Sequence, residues 1–235
     1  MPGKLYGVGV GPGDPELITL KAKRILEAVD YIAIPKTASD RDSVALSIAE
    51  GVLDTKKAVI ELLFPMSFDS ELLEASWSNS VAEVTAKLDA GKDVAFITLG
   101  DPTVYSTYIY IHKEIKSRGY DTEIIPGITS FCASAARLGI SLAENREAVA
   151  VVPSAYECGN LGTILDSCDN VVLMKVSRNL PALKQRLKDM GLLDKAVLVS
   201  KCGFPDERIE YDVEKASEEK LSYFTTMIIK RNGVK

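Results

Sequence analysis

LYGVGVGPGDPELITLKA, residues 5–22, is the stretch on which the reading of the fold turns. Residues 5–10 form a short apolar run broken by glycine, and Gly11-Pro12-Gly13-Asp14-Pro15 then imposes a tight turn. Asp14 suits a helix N-cap and Pro15 the first helical position, after which Leu17, Leu20, Ile25, Leu26 and Val29 recur at helical spacing. The apolar YIAIP at 31–35 completes a strand, helix, strand unit.

The alternation continues outward from that unit. Helices are expected over 43–51, 70–90 and 103–118, with strands over 58–63 and 93–99. The polar, turn-prone Ser117-Arg118-Gly119-Tyr120-Asp121 marks a lobe boundary, so two α/β lobes are expected, 1–118 and 119–235. In the second lobe strands are expected over 122–125, 148–152, 171–176 and 196–200, with helices over 130–138 and 180–190. A charged helix over 213–221 and a final strand over 223–230 should close it. The final strand alternates polar and apolar residues, which predicts an antiparallel member with one face in water.

Composition narrows the function. With 235 residues, 46% hydrophobic and 26% charged, the chain is long enough to bury its own core without staples. A net charge of −5 argues against duplex nucleic acid as the partner, because phosphate binding needs a dense Lys/Arg face. Four cysteines, Cys132, Cys158, Cys168 and Cys202, include no C-x-x-C pair, and the single histidine, His112, excludes a site built from several His ligands. No protein metal site is expected. No charged-then-apolar leader and no run of 18 apolar residues is found, so a cytoplasmic protein without a membrane anchor is expected.

The glycines at 7, 9, 11 and 13 do not make a dinucleotide fingerprint, since Pro12 and Asp14 stand where G-x-G-x-x-G needs glycine. They fit either a capped strand-to-helix turn or the close approach of a small ligand to bare backbone. Gly100-Asp101-Pro102 repeats the arrangement at the carboxyl end of a central strand, where open α/β sheets place ligands, and Asp101 also suits a helix cap. Pro126-Gly127-Ile128-Thr129-Ser130 makes a third such turn, open to both readings. Three turns that open helices offer backbone N–H groups to a ligand carboxylate.

GVGVGPGDPELITLKA at 7–22, TLGDPTVYST at 98–107 and PGITSFCASAARLG at 126–139 resemble the tetrapyrrole (corrin and porphyrin) methylases, and the likeness is spread over the whole chain. Within that family PMSFD at 65–69, Trp77, LGDPTVYSTYIY and PGITSFCAS look most like the methylases of carbon 20 of precorrin-2 or cobalt-precorrin-2 in cobalamin biosynthesis. The resemblance implies a mostly parallel N-terminal sheet, a mixed C-terminal sheet, S-adenosylmethionine in the cleft between the lobes and a homodimer. Carried over by position, Pro12, Gly100, Asp101, Val104, Tyr105, Ser106, Thr129 and Ser130 would line the cofactor, which leaves as S-adenosylhomocysteine. Met174, the segment around Lys201 and Cys202, and Thr225 and Thr226 would close it from the second lobe.

A tetrapyrrole carries many carboxylates, for which Lys36, Arg41, Arg137, Lys175 and Arg178 are the candidate partners. No residue is assigned as a base. Methylation of another ring carbon, a diphthamide-type methylase and a non-catalytic cofactor-binding module stand as alternatives.

Overall fold

The computed structural model describes residues 1–36, 43–54, 56–64, 70–153 and 158–234, with backbone alone for 70–75. Arg41 and the 65–69 segment lie outside the described residues. The chain divides into two compact units, Met1–Thr129 and Ser130–Lys235. That division falls later than the boundary expected at 118/119 because the strand at 122–125 pairs with the first strand of the chain, Leu5 opposite Thr122.

The first unit carries five parallel strands: β1 (Leu5–Gly9), β2 (Tyr31–Lys36), β3 (Ala58–Leu63), β4 (Val94–Thr98) and β5 (Thr122–Ile125), in the order β3-β2-β4-β1-β5. All five residues of β4 are buried, as its unbroken apolar run requires of a strand covered on both faces. On one face Leu5, Val94 and Phe96 pack with Val81, Val84 and Leu88 of α3 (Ser70–Asp89) and with Tyr108, Ile111 and Ile115 of α4 (Tyr108–Ser117). Elsewhere in the unit α1 (Leu20–Ala28) packs on β1 and α2 (Val44–Glu50) on β4.

Two helices start later than the sequence predicts. Asp14 accepts from Glu16 N at 2.9 Å and caps only a 3-10 turn, Pro15–Leu17; Ile18 is then extended, and Thr19 caps α1 through Ala22 N at 3.1 Å. Likewise residues 103–107 are loop, and α4 begins at Tyr108, whose N–H donates to Ser106 Oγ at 3.2 Å. In both places the turn residues hold themselves in place by side-chain bonds to nearby backbone, which delays the helix.

The second unit has a mixed sheet, β6 (Val149–Val152), β7 (Asn170–Met174), β10 (Thr225–Lys230), β8 (Ala196–Ser200) and β9 (Arg208–Glu210) in spatial order, with only β6 and β7 parallel. One face packs on α6 (Leu161–Ser167) and α7 (Leu180–Asp189), the other on α5 (Ser130–Leu138). The last strand is antiparallel to both neighbours, as expected, but none of its six residues faces water. It is central, so Ile228 is buried toward α5 while Met227 and Ile229 join the opposite core. Its one charge, Lys230, donates to Ser141 O at 2.7 Å. The expected helix at 213–221 is two 3-10 turns, Val213–Lys215 and Glu218–Lys220, and the seven-residue α6 was not anticipated. Among the described residues no helix is long and apolar enough to cross a membrane.

Candidate functional site

In the first sheet the connection from β1 runs to β2 on one side and that from β4 to β5 on the other, so the carboxyl ends of the adjacent strands β1 and β4 form the switch point where such sheets bind ligands. Three loops meet there. Gly11 and Gly100 form an isolated antiparallel bridge, Gly100 N donating to Gly11 O at 2.8 Å and Gly11 N to Gly100 O at 3.3 Å. A Cβ on Gly9 would stand 2.5 Å from Gly100 O and 2.7 Å from Gly127 Cα, and one on Gly127 only 2.1 Å from Gly100 O. Glycine is required at both because backbone meets backbone. Gly100 itself, at φ +73°, needs glycine for its conformation, while the space around its absent side chain is open to 3.9 Å.

Asp101 ties the cluster together. It is 8% exposed; Oδ1 accepts from Thr103 N at 2.8 Å and Thr103 Oγ1 at 2.5 Å, and Oδ2 accepts from Gly127 N at 2.9 Å. It is therefore a staple between the second and third loops and not the cap of α4. Asp101→Asn keeps an acceptor for Thr103 but turns an N–H₂ toward Gly127 N. We expect a loss of about 1.5–3 kcal/mol in a urea melt, the worth of a hydrogen bond to a charged group.

The remaining first-unit candidates sit around this staple. Pro12 is buried in the first loop. In the second loop Ser106 Oγ lies 2.9 Å from Thr98 Oγ1, next to Val104 and to an exposed Tyr105 held at φ +49°. A bulky residue in the left-handed region costs of order 1–3 kcal/mol, and such strain concentrates at ligand-binding loops. Thr129, at the end of the third loop, carries a buried hydroxyl with no hydrogen-bond partner among the described residues. Ser130 opens α5 in the second unit.

Met174 and Thr226 are cross-strand partners in the second unit. Thr225 Oγ1 is spent internally on Ser200 Oγ, at 2.9 Å, and Ser222 O. Cys202 is buried in the turn after β8, where burial pushes its thiol pKa up while the Ser134 hydroxyl pulls it down. Glu207 closes that turn, accepting from Gly203 N at 2.9 Å and Arg137 Nε at 2.5 Å. Burial pushes the Glu207 carboxyl up, but Arg137 and the Gly203 N–H outweigh it and hold it below its ordinary value.

The basic candidates separate. Lys36 pairs with Glu61 at 2.7 Å and Arg137 with Glu207, whereas Lys175 stands over the Tyr223 ring and Arg178 is exposed. His112, given no role by the sequence, receives a structural one: its Nδ1 lies 3.1 Å from Tyr108 Oη, and burial lowers its pKa. Sequence reasoning finds the turn that holds Gly127 but gives that residue no role, and it passes over Glu207; their partners lie 26 and 70 residues away and leave no local signal.

The arrangement can hold a small polar ligand against bare backbone. A family model described as Tetrapyrrole (Corrin/Porphyrin) Methylases matches residues 4–216. The chain is 38% identical over 232 residues to the cobalt-precorrin-2 C(20)-methyltransferase of Salmonella typhimurium, covering 98% of each chain. It is also 38% identical over 232 residues to a probable cobalt-precorrin-2 C(20)-methyltransferase of Methanocaldococcus jannaschii, covering 97% of this chain and 96% of that one. Among solved structures, a cobalt precorrin-4 methyltransferase superposes with a TM-score of 0.72 over 99% of this chain and 96% of that one at 22% identity, a likeness of fold. A five-stranded parallel sheet, a mixed second sheet and near-full-length relatives of one kind agree: the chain belongs to the tetrapyrrole (corrin/porphyrin) methylase family.

Proposed function

We propose that this protein transfers the methyl group of S-adenosylmethionine to carbon 20 of precorrin-2, with the cobalt complex as the favoured substrate, in cobalamin biosynthesis. The observation that carries the reading is 38% identity along almost the whole of both chains to a cobalt-precorrin-2 C(20)-methyltransferase. The second relative at that identity is also named for the cobalt form, which supports placing the metal on the substrate before methylation. We further propose a cytoplasmic homodimer, on the family resemblance.

The first unit's residues fit the cofactor. The unpartnered Thr129 hydroxyl would gain a partner from a polar group of the ligand, and the open space before Gly100 admits one close to the backbone. The proposed contacts in this unit are Pro12, Gly100, Asp101, Val104, Tyr105, Ser106 and Thr129. The second unit's proposed contribution is Ser130, Met174, Cys202, Thr225 and Thr226, with Thr225 acting other than through its committed hydroxyl.

S-adenosylmethionine supplies both the methyl and a neutral leaving group, so positioning, worth up to about 7–11 kcal/mol, is the protein's main task. Asp101 serves positioning: both carboxylate oxygens already accept hydrogen bonds from the loops they hold, so it is not assigned the proton lost from the substrate. The interlocked glycines keep the loop backbones fixed and side chains out of the way.

The test is mass spectrometry of an anaerobic incubation of the protein, S-adenosylmethionine and precorrin-2, with and without cobalt. One added methyl on the tetrapyrrole, formed faster on the cobalt complex, is the expected result. Cofactor binding without any mass gain would leave the family assignment standing and remove the substrate.

A further inference from the structure

The second unit presents an aromatic cluster that the cofactor positions do not use. Tyr223 and Phe224 are 41% and 37% exposed, large values for rings that precede a wholly buried strand. Phe224 stacks with Phe204 at 6.4 Å and 13°, and Tyr223 meets Phe224 edge-on at 5.7 Å. The rings thus support one another and expose a shared apolar surface. Lys175 lies beside it with Nζ 5.3 Å from the centre of the Tyr223 ring, and no ion pair engages that ammonium among the described residues.

The backbone holds basic side chains here at a cost. Lys175 follows β7 at φ +59° and Lys201 follows β8 at φ +53°, conformations that glycine would adopt more readily. Lys201 N–H donates to Phe224 O at 2.9 Å, which fixes the turn after β8 to the aromatic cluster, and its ammonium pairs with the exposed Asp206. Each lysine adjoins a proposed cofactor residue, Met174 or Cys202. Flat apolar surface flanked by cationic side chains complements a ligand with a broad unsaturated face and carboxylates at its rim.

We propose that Phe204, Tyr223 and Phe224 form a docking shelf for the face of a polycarboxylated tetrapyrrole, with Lys175 pairing one of its peripheral carboxylates. The assignment rests on the proposed function and adds to it the surface that selects the substrate. Engaging a carboxylate moves the Lys175 ammonium from the Tyr223 ring to a full negative charge, and the freed ring face is then available to the macrocycle.

The test compares wild type with Lys175→Met, Lys175→Arg and Tyr223→Ser, using precorrin-2 and its cobalt complex in anaerobic kinetics and S-adenosylmethionine in calorimetry. Lys175→Met and Tyr223→Ser should each raise the tetrapyrrole KM about tenfold, with cofactor affinity unchanged. Lys175→Arg should restore most of the loss. An unchanged tetrapyrrole KM in both Lys175→Met and Tyr223→Ser overturns the shelf. So does an equal loss of cofactor affinity, which would make the cluster part of the cofactor pocket, or a change in oligomeric state by sedimentation, which would make it a subunit interface. A wild-type protein that binds S-adenosylmethionine but neither tetrapyrrole defeats the proposed function itself, and the shelf with it, before any variant is compared.

Discussion

Gly127→Ala should abolish measurable binding of S-adenosylmethionine in calorimetry while leaving the far-UV circular dichroism spectrum that of the wild type. The added Cβ would lie 2.1 Å from Gly100 O and 2.8 Å from Gly9 backbone, and none of these atoms belongs to a side chain that can swing away. The third loop must therefore move, and with it the Gly127 N–H that Asp101 holds. A displacement of about 1 Å in a positioning element costs on the order of a hundredfold in rate, and a loop that no longer presents its backbone to the cofactor loses affinity as well. The sheet beneath is untouched, since β1 is paired on both sides, with β4 and β5, and β4 is wholly buried below the loops. Gly119→Ala is the matched control. Its φ is +87° and its Cβ would meet nothing within 4 Å, so it should cost some stability and no affinity. Wild-type affinity in Gly127→Ala would show that the cofactor does not use these loops.

Tyr108→Ala should be the most damaging single substitution to the first unit, lowering unfolding free energy by about 3–5 kcal/mol as for other buried aromatic truncations. The ring is fully buried, lies 5.4 Å from Phe96, and fills the space that a side chain at residue 7 would otherwise occupy: a Cβ on Gly7 would fall 2.1 Å from it. Tyr108→Phe keeps the packing and loses the hydroxyl, with its contacts to His112 and the Gly7 backbone, a difference of about 1 kcal/mol. Urea titrations of the two variants separate the terms. Near-equal losses would mean that the hydroxyl and not the ring carries the stability. Burial also holds the Tyr108 phenol well above its ordinary pKa, so it stays protonated at any working pH.

The parallel first sheet was legible chiefly through its central strand Val94–Thr98, which is covered on both faces and so reads as an apolar run. The same rule explains the misreading of Thr225–Lys230: its Thr and Lys residues mimic a water-facing side, but their polar atoms find partners inside the fold, Thr225 on Ser200 and Lys230 on Ser141. The three Gly/Pro turns were found from sequence as separate motifs. Their interlocking was not, because Gly11 with Gly100 and Asp101 with Gly127 are joined by bonds between distant segments, and local pattern carries no trace of them. Asp14 and Asp101 look alike in sequence, each between Gly and Pro, and serve differently. Asp14 bonds only its own turn, whereas Asp101, buried, reaches a second loop.

Carbon-20 methylation is tested most directly by supplying S-adenosylmethionine labelled with carbon-13 in its methyl group, together with cobalt-precorrin-2, and locating the label in the tetrapyrrole by nuclear magnetic resonance. Enrichment of a single methyl attached to carbon 20 is the predicted result. A labelled methyl on any other ring carbon, or none on the tetrapyrrole at all, would contradict it.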